Sequence, residues 1–106
     1  MNPADLYLRV REREGRLYPD EIVRRLPDIP ADHPLANEWH LRASSSARLI
    51  RYLERLGRPL AVLELGCGNG WLSAQAAHTP EAQIWGLDRY TCELVQAARL
   101  FASPNL

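Results

Sequence analysis

Residues 60–73 read LAVLELGCGNGWLS. The apolar run from Leu60 to Leu65 is short enough for a buried strand, and it leads directly into three alternate glycines. A segment rich in alanine follows, so the stretch predicts a strand, a tight turn and a helix start in that order. Glycines at such a turn let a ligand touch the backbone, and the N–H groups of a helix start favour polar ligand groups. The turn is therefore predicted to be a ligand-binding edge.

The spacing of the glycines narrows the class of ligand. A dinucleotide-binding turn has the pattern G-x-G-x-x-G, with an acidic residue about 20 positions later. Here the pattern is G-x-G-x-G, and Glu64 lies two residues before Gly66, where a carboxylate suits a cation better than a pyrophosphate. A second apolar run ends in Asp88, 18 residues after Gly70, and a carboxylate at a strand end can accept hydrogen bonds from a ribose diol. The pattern indicates an ammonium group and a ribose; a dinucleotide binder and a glycine turn without a ligand are the alternatives.

The motif VLELGCGNG at residues 62–70, with Gly86-Leu87-Asp88, resembles the first motif and the acidic strand end of class I S-adenosylmethionine-dependent methyltransferases. The resemblance covers about residues 35–106. It implies S-adenosyl-L-methionine as the cofactor, methyl transfer as the activity and a Rossmann-like α/β fold. Methyltransferases of this class usually have a larger sheet, so the chain is expected to correspond to the N-terminal part of one. Two other hypotheses are a cofactor-binding fragment without turnover and an interaction module whose open sheet edge another chain completes.

The resemblance also assigns cofactor contacts to individual residues. The glycines would shape the loop under the methionine portion. Asp88 would accept the ribose hydroxyls, with a simple charge at a helix N-terminus as its alternative role. Glu64 would orient the amino end, with capping of nearby N–H groups as its alternative role. Arg42 is a candidate contact for the methionine carboxylate, with surface or core packing as its favoured alternative. Tyr90 stands where family members often have a small residue, which leaves the adenine contacts open. The predicted cofactor-binding set is Arg42, Glu64, Gly66, Cys67, Gly68, Asn69, Gly70, Asp88 and Arg89.

No catalytic residue is assigned, because a base would be expected in loops after later strands. No metal site is predicted either, since the three histidines show no ligand spacing. The 106 residues carry 13 basic and 13 acidic side chains, a balance that gives no argument for nucleic acid or an anionic membrane. Cys67 and Cys92 lack metal-type spacing and are expected to be reduced thiols in a cytoplasmic protein. A small molecule is the favoured methyl acceptor, and self-association through the open sheet edge is a further hypothesis.

The chain is expected to divide into an N-terminal helical extension with a proline-containing linker, residues 1–34, and the first part of the cofactor-binding domain, residues 35–106. Proline and acidic residues predict a short helix from residue 19, and three further prolines predict an extended connection to residue 34. The expected fold class is α/β, an incomplete Rossmann-like fold of N-terminal helices followed by two parallel strands with flanking helices. The predicted helices are 5–14, 35–56, 71–78 and 91–102, and the predicted strands are 60–65 and 83–88. Pro104 is expected to close the last helix, and Asn105-Leu106 to approach a third strand.

Two local features of the helices carry separate expectations. Ser44-Ser45-Ser46 interrupts the apolar stripe of the helix at 35–56 and indicates either a bend or a face of small residues. In the last helix, apolar spacing predicts that one face is buried. That face comprises Leu94, Val95, Ala98, Phe101 and Ala102.

Overall fold

The computed structural model describes residues 2–103. Within that range the chain is an α/β protein of five helices and one sheet of two parallel strands. In chain order the helices and strands are α1 (Pro3–Arg13), α2 (Asp20–Val23), α3 (Ala36–Leu56), β1 (Leu60–Leu65), α4 (Trp71–Ala76), β2 (Ala82–Leu87) and α5 (Thr91–Phe101). The predicted α/β class and order of elements are confirmed. Pro104 and the third strand expected at residues 105–106 lie outside the described residues.

The pairing of the two strands positions the site. They run parallel, in a register that places Leu60 beside Ala82 and Leu65 beside Leu87. Because the carboxyl ends of parallel strands meet at one edge of a sheet, the loop after β1 lies next to the residues that follow β2. The glycine turn and Asp88 are brought together in this way.

The two faces of the sheet differ in how they are covered. Successive side chains of a strand point to opposite faces. On one face, Ile84 and Ala82 are buried with Leu53 of α3 and Ala76 of α4. On the other face four large apolar side chains are 51% to 74% exposed within residues 2–103. They are Leu63, Leu65, Trp85 and Leu87, and we refer to them as the open sheet face.

A second core lies around Trp39, which is 1% exposed. It packs with Tyr18, Val23 and Leu26, and its indole Nε1 donates to the Tyr18 hydroxyl at 2.9 Å. Leu100, Phe101 and Trp71 pack against this cluster. Residues before position 35 therefore share a core with α3, α4 and α5.

The prolines predicted an extended connection between α2 and α3, and this prediction is wrong. It consists of turns, in which Asp28 N–H donates to the Arg25 carbonyl at 2.8 Å and His33 N–H to the Pro30 carbonyl at 3.0 Å. Leu26 in the first of these turns and Val23 at the end of α2 are both buried in the core around Trp39.

Helix α3 runs without interruption through Ser44–Ser46, and Gly57 ends it with φ +58°. Of the three serines only Ser46 is buried, and its hydroxyl donates to the Ala43 carbonyl at 3.1 Å, whereas Ser44 and Ser45 are exposed. No helix of residues 2–103 has the length and apolar character needed to cross a membrane.

The predicted buried face of α5 is partly wrong. Val95, Ala98 and Ala102 are exposed, whereas Glu93 is buried. The reason is that the first helical turn of α5 faces the glycine-rich loop and α1. The carboxylate of Glu93 lies on that side and has partners in both.

Candidate cofactor-binding site

The loop of residues 66–70, called the glycine loop below, uses its three glycines for different reasons. All three have positive φ: +71° at Gly66, +55° at Gly68 and +82° at Gly70. A Cβ at Gly70 would lie 2.9 Å from Ala97 Cβ, and a Cβ at Gly68 would lie 2.8 Å from Glu93 Oε2. A Cβ at Gly66 would meet nothing within 4 Å. The third glycine thus lets α5 approach the loop, the second leaves room for a carboxylate, and the first serves the backbone conformation alone.

Four N–H groups of the glycine loop donate within the chain. Two go to the Leu87 carbonyl at 2.7 and 3.0 Å, and one goes to a carbonyl inside the loop at 3.0 Å. The fourth goes to a carboxylate, since Gly68 donates to Asp88 Oδ2 at 2.8 Å. The remaining N–H, of Asn69, lowers the pKa of Glu93. A loop that cradles phosphate needs free N–H groups and little negative charge. This loop has neither property.

Asp88 joins the glycine loop to the start of α5. Besides the bond from Gly68, its Oδ1 accepts the N–H of Tyr90 at 2.9 Å. Each carboxylate oxygen has a second lone pair, so Asp88 can hold the loop and still accept hydroxyl donors. Its position supports the predicted ribose contact.

Glu64 is directed toward α4. It lies beside Gly86 in the strand register, and its Oε1 accepts the Ser73 hydroxyl at 2.6 Å. Burial raises the pKa of this carboxyl, and hydrogen bonds from the hydroxyl and N–H of Ser73 oppose the rise. The structure thus gives Glu64 a hydroxyl partner on α4, and contact with the amino end of a cofactor stays a prediction.

The contacts that Arg42 and Arg89 make are with residues other than Glu64, Asp88 and Glu93. Arg42 donates to Glu38 at 2.8 Å and its guanidinium lies 4.7 Å from the centroid of the Trp39 ring, so both contacts are with its own helix. Arg89 is exposed and lies 6.0 Å from the centroid of the Tyr90 ring. The structure gives Arg42 the packing role that was its alternative, and a contact with the cofactor stays a prediction for both.

Three residues at the site were missed by sequence reasoning: Glu93, Tyr7 and Arg11. The Glu93 side chain is 6% exposed, and its Oε1 lies 3.0 Å from Arg11 Nε. Burial raises the pKa of Glu93. The charge of Asp88 adds to this rise, whereas the charge of Arg11 lowers the pKa of Glu93. Tyr7 stacks on Tyr90 with ring centroids 3.9 Å apart and 7° between planes. Glu93 resembled an ordinary acidic residue in a first helical turn, and no sequence signal links α1 to this edge.

A cavity of about 270 Å³ lies behind the glycine loop. Its lining is mostly small or apolar, and Asp88 and Glu93 do not contribute to it. It is formed by Cys67, Gly70, Ser73, Gly86, Leu94, Ala97, Ala98, Phe101 and Ala102. The cavity is therefore mainly apolar and lies between the glycine loop and α5. It is separate from the carboxylates of Asp88 and Glu93.

Cys67 is expected to be an unreactive thiol. It is buried, and burial, with smaller contributions from Glu64 and Asp88, raises its pKa to about 11. Because the thiolate is the reactive form, a thiol reagent at about pH 8 should label exposed Cys92 quickly and Cys67 only slowly until the chain unfolds. In the Cys92→Ser variant the fast phase should disappear. Equal labelling rates for the two thiols would contradict this assignment.

Within the described part of the chain, no group of three or more His, Cys, Asp or Glu side chains is arranged to hold a metal ion. Comparison with protein-family models, curated proteins and solved structures finds no match to this chain.

Proposed function

We propose that this chain binds S-adenosyl-L-methionine at the edge formed by the glycine loop and Asp88, and that it belongs to a Rossmann-like methyltransferase. The observation that carries the proposal is the position of Asp88. It lies where the carboxyl ends of both parallel strands meet, is fixed by N–H groups of Gly68 and Tyr90, and retains lone pairs for a ribose diol.

The charge of the edge supports this ligand over a dinucleotide. The charge of Asp88 raises the pKa of both Glu64 and Glu93. A pyrophosphate would meet repulsion from these carboxylates and would find the N–H groups of the loop already used. A ligand with a sulfonium, an ammonium and a ribose would instead meet complementary charge and hydrogen-bond acceptors.

The residues of this chain would act by holding and orienting the cofactor. When bound, the cofactor supplies a methyl group on a sulfonium, which a nucleophilic atom of the acceptor attacks in line with the departing sulfur. Asp88 would fix the ribose and the glycine loop would fix the methionine portion, so that the methyl group faces the acceptor. A small molecule remains the favoured acceptor, and no catalytic base is assigned.

The proposal is tested by thermal unfolding with S-adenosylhomocysteine. Ligand at about 100 times its dissociation constant should stabilise the fold by about 2.7 kcal/mol. The melting temperature should therefore rise with S-adenosylhomocysteine and stay constant with NADH at the same concentration. A cooperative melt that does not move with S-adenosylhomocysteine would contradict cofactor binding.

A second candidate function is an interaction module in which a second copy of the chain covers the open sheet face. The observation that favours it is the exposure of Leu65 and Trp85, 74% and 51%, on that face. In this case sedimentation should show association that rises with concentration and is lost in Trp85→Lys. A monomer over the whole concentration range would contradict it.

A further inference from the structure

We propose that α1 and a nucleoside ligand compete for the surface beside Asp88, so that α1 acts as an internal inhibitor of the candidate site. The inference rests on the proposed function, because it takes the ribose contact of Asp88 as its reference point. Helix α1 presents an aromatic ring and a cation one helical turn apart, at Tyr7 and Arg11. A purine nucleoside with a sulfonium has the same two features.

The ring of Tyr7 lies where a base would stack. Tyr90 follows Asp88 by two residues, and a base on a ribose held by Asp88 would come within reach of the Tyr90 ring. The centroids of Tyr7 and Tyr90 are 3.9 Å apart, whereas a base inserted between them would need about 7 Å, two van der Waals contacts. The base and Tyr7 therefore exclude each other from this face of Tyr90.

Arg11 places the cation of α1 beside the glycine loop. Its Nε lies 3.0 Å from Glu93 Oε1, and the other oxygen of Glu93 lies 2.8 Å from where a Cβ would stand at Gly68. The carboxylate that pairs with α1 is thus the one that faces the second glycine. A cationic ligand on the glycine loop would meet that same carboxylate.

The ion pair of Arg11 and Glu93 lacks a well-formed hydrogen bond. The two atoms form an ion pair at 3.0 Å, but neither Arg11 Nε nor Glu93 Oε1 has a hydrogen bond of good geometry within residues 2–103. Buried polar atoms without such a bond cost free energy. A ligand group that donated directly to Glu93 Oε1 would remove that cost, which favours exchange of α1 for the ligand.

Two of the three large aliphatic side chains of α1 contribute little to its attachment. Leu6 is 56% exposed and Val10 is 46% exposed, so neither is packed into a core, whereas Leu8 is half-buried. A segment with few buried apolar contacts opens at a low free-energy cost. The stack of Tyr7 on Tyr90 is therefore a main contact between α1 and the surface beside Asp88.

The test is titration calorimetry of the whole chain with S-adenosylhomocysteine. Tyr7→Ala should bind more tightly than the wild type by about twofold to tenfold, the equivalent of one lost aromatic stack. Tyr7→Phe keeps the ring and should bind like the wild type. Tyr52→Ala removes an exposed tyrosine of α3 and should also leave affinity unchanged.

Hydrogen exchange gives an independent readout on the unmodified chain. At saturating S-adenosylhomocysteine the amides of Pro3–Arg13 should lose protection, because the ligand displaces α1. Equal or weaker binding by Tyr7→Ala, or increased protection of α1, would overturn the inference and make α1 a cover over the ligand. Absence of binding by both the wild type and Tyr7→Ala would overturn the proposed function, and the inference with it.

Discussion

Gly70→Ala is expected to destabilise the chain by about 2–5 kcal/mol. Of this, about 1–2 kcal/mol comes from placing a Cβ at φ +82°. A further 1–3 kcal/mol or so comes from overpacking, because the new Cβ would lie 2.9 Å from Ala97 Cβ on α5. Native domains are stable by only about 5–15 kcal/mol. Urea denaturation followed by circular dichroism measures the loss.

Gly66→Ala is the matched control for this prediction. Gly66 also has a positive φ, +71°, but a Cβ there would have no neighbour within 4 Å. Gly66→Ala should therefore lower the free energy of unfolding only by the backbone contribution, about 1–2 kcal/mol. Equal losses at the two positions would show that the approach of α5 to the glycine loop does not depend on the third glycine.

Asp88→Ala is expected to weaken S-adenosylhomocysteine binding by about tenfold to a hundredfold. Hydrogen bonds to a charged group contribute about 1.5–3 kcal/mol each, and Asp88 is proposed to accept them from the ribose. The variant also removes the acceptor for the N–H groups of Gly68 and Tyr90, so the loop itself loses support. Calorimetry should be done at a temperature where circular dichroism shows the variant to be folded.

Two comparisons separate the ribose contact from the support of the loop. Asp88→Asn retains one acceptor oxygen for the backbone N–H groups and should be the more stable variant, yet it should still bind less tightly than the wild type. Asp28→Ala changes an exposed acid outside the glycine loop and should change neither property. Wild-type affinity in a folded Asp88→Ala variant would remove the ribose assignment.

The parts of the fold that were predictable are those set by local rules. The glycine after α3 and the apolar runs of β1 and β2 each depend on neighbours within a few residues, and all three lie close to their predicted positions. The meeting of the glycine loop with Asp88 was also predictable, because parallel strands bring their carboxyl ends together.

The features that were not predictable depend on contacts between distant parts of the chain. Arg11 and Glu93 belong to the first and last helices, and neither helix carries a local signal for the other. Apolar spacing predicted a buried Val95, but burial follows the neighbours that pack against a helix, and Val95 is 55% exposed. Likewise, a continuous apolar run predicts a strand covered on both faces. Within residues 2–103, the two strands are covered on one face only.

The open sheet face has a thermodynamic consequence. Leu63, Leu65, Trp85 and Leu87 are already largely hydrated in the native chain, so unfolding adds little new water contact at these side chains. The heat-capacity change on unfolding arises mainly from newly hydrated apolar area. Calorimetric unfolding of this chain should therefore show a small heat-capacity increment for its length and a correspondingly flat dependence of stability on temperature.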